Sequence, residues 1–284
     1  MKPNQQQSDA WNGPESVHYV DHADRYDRQL LPVTEALFER AHLASEDRVL
    51  DVGSGSGATT LAVAQTAARV LGVDISEPLT AVARERARGL DTVEFLVADA
   101  QTHRFDAAAF DVVISQFGLM FFDEPETAFA NLRHVLTDDG RIVFVAWRRL
   151  DDNDWLAPVV AAVAEHADVP DLGGLANGGG MFAMKDDHEI TGLLEATGFG
   201  DVMVESVSPT VLIAGGGNAE ECAEFLLGMG IVRGLLSRLD DGQRRLAIDA
   251  IRARLEELHE DGVGVRLGAA IWLVSARAHV VQGS

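Results

Sequence analysis

The sequence predicts an α/β fold in which a doubly wound, mostly parallel sheet is covered by helices on both faces. Short apolar runs alternate with helix-like segments over residues 46–150, and the first apolar run ends at a glycine-rich loop that leads straight into a helix. Strands that are apolar along their whole length are typical of a parallel sheet buried on both faces. Right-handed crossovers between neighbouring strands follow from such a sheet.

Strands and helices follow one another regularly in this core. The strands are predicted at 48–52, 69–74, 93–99, 111–115 and 141–147. The helices are predicted at 57–67, from Ser76 to Arg88, and from Pro125 to about 136. Ser76 is a favoured N-cap residue, and Pro78 suits the first turn of the helix that follows.

The regular alternation stops after Trp147, which indicates insertions. We predict helices at 151–167 and 186–198, a strand at 201–208, a long helical stretch at about 218–260 and a last strand at 269–278. Residues 151–284 then complete the sheet and carry helical caps at about 151–181 and 215–262. Insertions that leave the carboxyl edge of such a sheet commonly cover a substrate site.

The chain before the core divides into two parts. Residues 1–15 are polar and rich in glutamine, and we predict a disordered lead-in there. Residues 16–45 are predicted to form helices that act as a lid.

Composition narrows the class of protein. The 284 residues carry a net charge of −22, which disfavours nucleic acid as a partner. The single cysteine, Cys222, excludes a disulfide within the chain and a cysteine metal cluster, and no other spacing predicts a metal site. An apolar run of about 18 residues, as a membrane helix needs, is absent from the sequence. We therefore expect a cytoplasmic protein without a membrane span.

The central motif is the glycine loop at 49–60. A strand runs into Gly53, Gly55 and Gly57, and a helix begins at once. Glycines let the backbone turn tightly and let a ligand approach the main chain closely. This loop also fits the dinucleotide fingerprint, so by itself it leaves a nicotinamide cofactor open.

Three acidic residues at successive strand ends decide between these cofactors. Asp51 stands two residues before the first glycine, where a carboxylate repels a pyrophosphate and suits an ammonium group. Asp74 ends the second strand, where it can accept hydrogen bonds from both ribose hydroxyls. This feature is shared with proteins that bind a nicotinamide cofactor, so it does not discriminate. Asp99 ends the third strand beside Ala100, where it can accept from an adenine amino group. Together they predict a zwitterionic, adenosine-bearing cofactor without phosphate.

These motifs resemble the class I S-adenosylmethionine-dependent methyltransferases, especially the ubiquinone/menaquinone-type and actinobacterial small-molecule enzymes. The resemblance covers about 46–147. It rests on the motifs DVGSGSG (51–57), GVDIS (72–76), VADA (97–100), FDVVISQFG (110–118) and LRHVLTDDGRIVFVAW (132–147). The chain has Asp-Asp-Gly at 138–140 where the family usually has Pro-Gly-Gly, which should alter only a turn.

The resemblance implies a seven-stranded sheet in the order 3-2-1-4-5-7-6, with the last strand antiparallel. It implies S-adenosylmethionine as the cofactor and S-adenosylhomocysteine as its product. The predicted cofactor-binding residues are Tyr19, Tyr26, Asp51, Gly53, Ser54, Gly55, Gly57, Asp74, Ile75, Asp99, Ala100, Ser115 and Gln116. Tyr19 and Tyr26 are included because the family's N-terminal helices lie over the cofactor; surface positions on an amphipathic lid are the alternative.

Catalytic and acceptor-binding residues are less sharply defined. Methyl transfer is an in-line displacement that depends mainly on alignment, and a base is needed only if the acceptor must lose a proton. His18 and His22 are the candidate bases because they lie in the predicted lid. The candidate acceptor-binding residues follow the fourth and fifth strands, where packing under a helix is the alternative role: Phe117, Met120, Phe121 and Trp147.

The sequence therefore predicts a methyltransferase that transfers a methyl group to a small, partly apolar acceptor. One alternative is a protein of this fold that binds the cofactor without methyl transfer, as a binding protein or a cyclase. A NAD(P)-dependent oxidoreductase is a further alternative, against which Asp51 and Asp99 argue. The acceptor's identity, the methylated atom and the oligomeric state stay open.

Overall fold

A computed structural model describes residues 3–169 and 180–278 of the chain. A seven-stranded sheet forms the centre, in the order β3-β2-β1-β4-β5-β10-β6. The strands are β1 Arg48–Val52, β2 Arg69–Asp74, β3 Val93–Val97, β4 Phe110–Gln116, β5 Leu136–Trp147, β6 Gly200–Val207, β7 Thr210–Leu212, β8 His259–Glu260, β9 Gly264–Gly268 and β10 Ile271–Arg277. The predicted fold class and strand order are confirmed.

Helices pack on this sheet and at its carboxyl edge. They are α1 Gln5–Trp11, α2 Pro14–Asp21, α3 Ala23–Ala41, α4 Ala58–Val63, α5 Glu77–Arg86, α6 Pro125–Val135, α7 Ala157–Ala164, α8 Asp187–Ala196, α9 Ala219–Gly228, α10 Gly230–Leu236 and α11 Asp241–Leu258. Ser76 caps α5 by accepting from the backbone N–H of Leu79, as its position in the sequence predicts.

The core strands are parallel and buried on both faces. In β1, Leu50 lies opposite Leu71 of β2 on one side and Val113 of β4 on the other, and Leu50 and Val113 are fully buried. Parallel pairing places the carboxyl ends of β1, β2, β3 and β4 at one edge of the sheet. The strand ends singled out by the sequence therefore meet there.

The last strand runs against its neighbours. β10 pairs antiparallel with β5 and with β6, and Trp147 at the end of β5 faces Ile271 at the start of β10. The predicted strand at 141–147 begins earlier in the structure, at Leu136, because Leu136 pairs with Phe110 ahead of a register shift. The run of two aspartates and a glycine at 138–140 thus lies within a strand rather than in the predicted turn.

The prediction of a disordered lead-in over residues 1–15 is wrong for residues 3–15, and residues 1 and 2 lie outside the described part of the chain. Gln5–Trp11 is helical, and Asn4 is 2% exposed because it hydrogen-bonds to residues far along the chain. The predicted lid region, 16–45, is helical over most of α2 and α3.

The two predicted cap stretches have mixed structure. The first contains two 3-10 turns and α7, and its residues 170–179 lie outside the described part of the chain. The second contains α9, α10, α11 and β8. Strands β7 and β9 flank it, and the three strands form a small sheet, in the order β7-β9-β8, that the sequence did not predict. Within 3–169 and 180–278, no helix combines the length and apolarity needed to cross a bilayer.

Candidate cofactor and acceptor site

A cavity of about 380 Å³ opens at the carboxyl edge of the sheet. Its size falls in the range of small-molecule sites. The structure brings most of the predicted site residues to its wall, namely Tyr19, Tyr26, Gly53, Gly55, Asp74, Ile75, Asp99, Ala100, Gln116, Phe117, Met120, Phe121 and Trp147. The predicted residues that do not line it are Asp51, Ser54, Gly57, Ser115, His18 and His22.

The glycine loop forms the floor of this cavity, and each glycine has a different reason to be there. Gly53 has a φ of 72°, and a Cβ on it would lie 2.7 Å from the Cα of Gly118. Gly55 has a φ of 52°, but a Cβ there would meet no atom within 4 Å. The close approach of two backbones therefore requires Gly53, whereas Gly55 leaves room that belongs to the cavity.

Asp51 lies behind this loop, fully buried, rather than on the cavity wall. One of its carboxylate oxygens accepts hydrogen bonds from the hydroxyls of Thr59 and Thr60, each at 2.6 Å. Burial raises the pKa of Asp51 to about 6, against the opposing effect of these hydroxyls. Its other oxygen, Oδ1, has no hydrogen-bond partner among the described residues. A buried carboxylate with an unused oxygen favours a cation nearby.

The start of α4 is occupied by this same carboxylate. The backbone N–H of Thr60 also donates to Asp51, and the N–H of Gly57 donates to the carbonyl of Ser54. A pyrophosphate needs free N–H groups at such a helix start. The arrangement therefore fits a ligand with a positive group here better than it fits a dinucleotide.

Asp74 ends β2 at the cavity, as predicted. Its two oxygens accept from the backbone N–H groups of Gly55 and Ser76, both at 2.8 Å. These bonds fix the carboxylate and connect it to the glycine loop. Burial raises the pKa of Asp74, and no cation pairs with it among the described residues. Remaining lone pairs on its oxygens are suited to hydroxyl donors of a ligand.

Asp99 follows β3 and lines the cavity, where it contacts Asn4, the residue that directly precedes α1. Asn4 donates from its side-chain amide to Asp99 Oδ1 at 2.8 Å and to Gln101 Oε1 at 3.1 Å. The backbone N–H of Asn4 donates to Asp123, whose own N–H donates back to the Asn4 side chain, both at 2.7 Å. Asn4 thus closes this end of the cavity together with Asp99.

Three of the predicted cofactor-binding residues, Ser115, Gly57 and Ser54, lie off the cavity wall, and the first two make structural contacts. Ser115 is fully buried; its hydroxyl donates to the carbonyl of Val52 and accepts from the N–H of Gly118, which holds the two strand ends together. Gly57 has a φ of 88°, and a Cβ on it would lie 2.9 Å from the ring of Phe95. Ser54 is buried beneath the loop. Local sequence did not separate these positions from the cavity-lining ones because each belongs to a motif that also contains cavity-lining residues.

Aromatic side chains form the other wall. The rings of Tyr19 and Tyr26 are parallel with centroids 3.9 Å apart, and those of Phe117 and Trp147 are parallel at 4.1 Å. Phe117 has a φ of 64°, a left-handed conformation that is costly for a phenylalanine and is characteristic of functional sites. These four residues were predicted at the site, and the structure brings them to one cavity.

The prediction that His18 or His22 is a general base is not supported by their positions. His18 packs on the rings of Tyr26 and Phe225, at 5.8 and 5.2 Å, without lining the cavity. Burial, followed by the charges of His22 and Arg233, lowers the pKa of His18 to about 4. A histidine with this pKa is a weak base at neutral pH. It serves as a packing residue between α2 and α9.

His18 should make the fold sensitive to acid. Because the folded-state pKa, about 4, lies below the ordinary value of 6.5, the unfolded chain binds the proton first as the pH falls through this window, so stability decreases. We expect the melting temperature of His18→Phe to fall less than that of the wild type between about pH 7 and about pH 4.5, a range that covers most of this window. Circular dichroism melts of both proteins at each pH measure this, and parallel pH profiles would contradict it.

The sequence missed several residues of the cavity wall. They are Asn4, Trp11, Gln29, Leu30, Trp155, Met181, Met229 and Ile231. Trp11 contacts Tyr19 and Phe121, with ring centroids at 5.3 and 5.6 Å. A tryptophan in an otherwise polar segment was a signal that the segment folds onto the protein.

The strand order, the glycine loop and the acids at the ends of β2 and β3 are those that the resemblance to class I methyltransferases implied. Residues 50–144 match the family model described as a methyltransferase domain. Over these residues the chain is similar to methyltransferase domains. The match agrees with the predicted resemblance to methyltransferases over these residues and favours neither of the alternatives.

Individual proteins match over similar ranges. A demethylmenaquinone methyltransferase of Clavibacter sepedonicus is 41% identical over 97 residues, which is 34% of this chain and 40% of that protein. The aklanonic acid methyltransferase DauC of Streptomyces sp. strain C5 is 32% identical over 120 residues, covering 40% and 54%. The matched segments thus span about half the length of these curated relatives.

A solved structure extends the likeness to the whole fold. The YcgJ protein of Bacillus subtilis superposes with a TM-score of 0.56 at 17% identity, covering 86% of this chain and 98% of that one. At this identity the likeness concerns the fold alone. It covers more of the chain than the family match does.

Proposed function

We propose that this chain is an S-adenosylmethionine-dependent methyltransferase that transfers a methyl group to a small, partly apolar acceptor. One observation carries the proposal: a single cavity joins the glycine loop, Asp74 and Asp99 to an aromatic wall. This arrangement supports a nucleoside site at the acids and a neighbouring site for an apolar ring at the aromatic wall. Transfer between two ligands held in one cavity depends on this proximity.

The residues present fit the cofactor. Asp74, fixed by two backbone N–H groups, would hold the ribose hydroxyls, and Asp99 with Ala100 would hold the adenine. The unused oxygen of Asp51 would provide a negative field for the ammonium group from behind the loop. The free space over Gly55 would let the ligand lie against the backbone. Bound there, S-adenosylmethionine supplies a methyl group attached to a positively charged sulfur.

The chain's own contribution to the reaction is orientation. The stacked pair Phe117 and Trp147 and the stacked pair Tyr19 and Tyr26 give the acceptor end flat apolar surfaces that position a ring and keep water away from it. In the described part of the wall, the titratable side chains are Tyr19, Tyr26, Asp74 and Asp99. The acceptor therefore reacts without a histidine or lysine base from the described wall.

The net charge and the residues of the two cap stretches support a small acceptor. The chain's net charge of −22 argues against nucleic acid as the acceptor. Trp155 of the first cap stretch, and Met229 and Ile231 of the second, lie on the cavity wall beside the acceptor end. The relatives' names contain demethylmenaquinone and aklanonic acid, both small molecules, which agrees with a small acceptor.

Calorimetry tests the cofactor half of this proposal. We expect S-adenosylhomocysteine to bind the full chain at one site and to raise its melting temperature, because a ligand that binds only the folded state stabilises it. NADH is the matched control, since it shares the adenosine but carries a pyrophosphate, and it should give no binding heat. Binding of NADH without binding of S-adenosylhomocysteine would overturn the proposal. Mass spectrometry of acceptor mixtures incubated with S-adenosylmethionine then detects methyl transfer.

A further inference from the structure

Gln29 is a polar residue in an apolar position. The buried face of α3 consists of Ala23, Tyr26, Gln29, Val33, Leu37 and Ala41. This spacing is that of a helix stripe facing a core, where an apolar side chain is expected. Gln29 is only 3% exposed, so its amide has left water. Burying an amide group without hydrogen bonds costs about 1–3 kcal/mol, so each of its polar atoms needs a partner.

The orientation of this amide is fixed by a backbone donor. The N–H of Ala214 donates to Gln29 Oε1 at 2.7 Å. Because a backbone N–H cannot accept a hydrogen bond, the oxygen must point to Ala214 and the NH₂ group must point elsewhere. Gln29 lines the cavity, and no described residue accepts a hydrogen bond from its NH₂ group. A donor on a largely buried side chain is therefore available to whatever enters the cavity.

The surroundings define the group that such a donor receives. Tyr26, one turn before Gln29 on α3, and Leu30, Met229 and Ile231 line the same cavity, so the wall that Gln29 shares includes apolar and aromatic surfaces. An NH₂ group binds an oxygen acceptor, and it binds a charged oxygen more strongly than a neutral one. The NH₂ group does not bind a protonated amine, because both groups are hydrogen-bond donors.

We propose that Gln29 binds the oxygen of a planar phenol- or enol-type acceptor and that the site takes this acceptor in its ionised form. This inference rests on the proposed methyltransferase function. The acceptor loses its proton to solvent before it binds, which agrees with the lack of a histidine or lysine on the described wall. Its electron pair, on oxygen or on the conjugated carbon, forms the bond to the methyl carbon. The carbon–sulfur bond breaks with its pair on sulfur, so the anion and the sulfonium both become neutral.

A coloured phenol tests this directly in the wild-type chain. The probe is 4-nitrophenol, whose ionised form absorbs visible light, titrated with the full chain saturated with S-adenosylhomocysteine. We expect the bound probe to ionise at a lower pH than the free probe, because the donor stabilises the anion. A bound probe that ionises at a higher pH than the free probe, or at the same pH, overturns the proposal without any variant being needed.

A variant separates recognition from structural support. Gln29→Met keeps the length of the side chain and removes the NH₂ group, and we expect it to bind ionised 4-nitrophenol about tenfold more weakly. The matched probe, 4-nitroanisole, cannot ionise, and its affinity should be unchanged. Equal losses for both probes would assign Gln29 a role only in anchoring residue 214 and overturn the proposal. Calorimetry with S-adenosylhomocysteine in the same samples reports separately on the proposed function.

Discussion

Replacing Asp74 by alanine is expected to weaken the binding of S-adenosylhomocysteine by about 1–3 kcal/mol, which is the range for losing hydrogen bonds to a charged group. Asp74 lies at the cavity, and its oxygens are already oriented by the N–H groups of Gly55 and Ser76. A ligand that donates hydroxyls to this carboxylate gains from its fixed position. Isothermal titration calorimetry on the two proteins measures the difference.

Two matched variants interpret the result. Asp74→Asn retains the shape and an amide oxygen but removes the charge, so its affinity should lie between those of the wild type and Asp74→Ala. Asp111→Ala removes an acid at the opposite end of the parallel strands, where it pairs with Arg48 at 3.0 Å, and should leave binding unchanged. Wild-type affinity in Asp74→Ala would show that the ribose is held elsewhere, whereas equal losses in Asp74→Ala and Asp111→Ala would indicate a general effect of net charge.

The parts of the fold that were predicted correctly are those encoded by local pattern. β1 and β2 were placed to the residue because each is an apolar run with a clear end, at Gly53 and at Asp74. β5 was started too late because Asp138 and Asp139, followed by a glycine, have the composition of a turn. They lie in the irregularity between the pair of Leu136 with Phe110 and the pair of Arg141 with Val112, which a single segment does not reveal.

The lead-in was mispredicted for a related reason. A glutamine-rich start has the composition of a disordered tail, whereas Asn4 is ordered by partners 95 and 119 residues away along the chain. Trp11 adds a hydrogen bond from the Ser76 hydroxyl to its carbonyl at 2.7 Å. Such long-range bonds follow from the sheet topology, so they become visible only when α1 and the strand ends are seen together.

The candidate bases illustrate a limit of helix patterns. His18 and Tyr19 are neighbours on α2, but consecutive residues on a helix point about 100° apart. Tyr19 lines the cavity, while His18 is turned toward Phe225 of α9. The sequence identified the correct helix, and the rotation of that helix about its axis, which tertiary packing sets, decided which side chain lies at the site.

The glycine loop provides the last and most discriminating pair of variants. Gly53→Ala should destabilise the fold by about 2–4 kcal/mol, since it combines a left-handed φ with a contact between backbones that cannot yield easily. The new Cβ would lie 2.7 Å from the Cα of Gly118. Urea unfolding, read by circular dichroism, measures the loss in the free energy of unfolding. A Gly53→Ala protein as stable as the wild type would mean that the two backbones can move apart without cost.

Gly55→Ala should affect ligand binding more than stability, in contrast to Gly53→Ala. Its φ of 52° is also left-handed, which costs about 1–2 kcal/mol, but the new Cβ meets no protein atom within 4 Å and extends into the cavity. Stability should therefore fall less than in Gly53→Ala, while the affinity for S-adenosylhomocysteine should fall by about tenfold or more, because the methyl group takes space that the ligand needs. Normal binding by Gly55→Ala would show that the cofactor does not lie over the loop. A pair in which Gly53 governs folding and Gly55 governs binding would establish that the loop serves both purposes at adjacent positions.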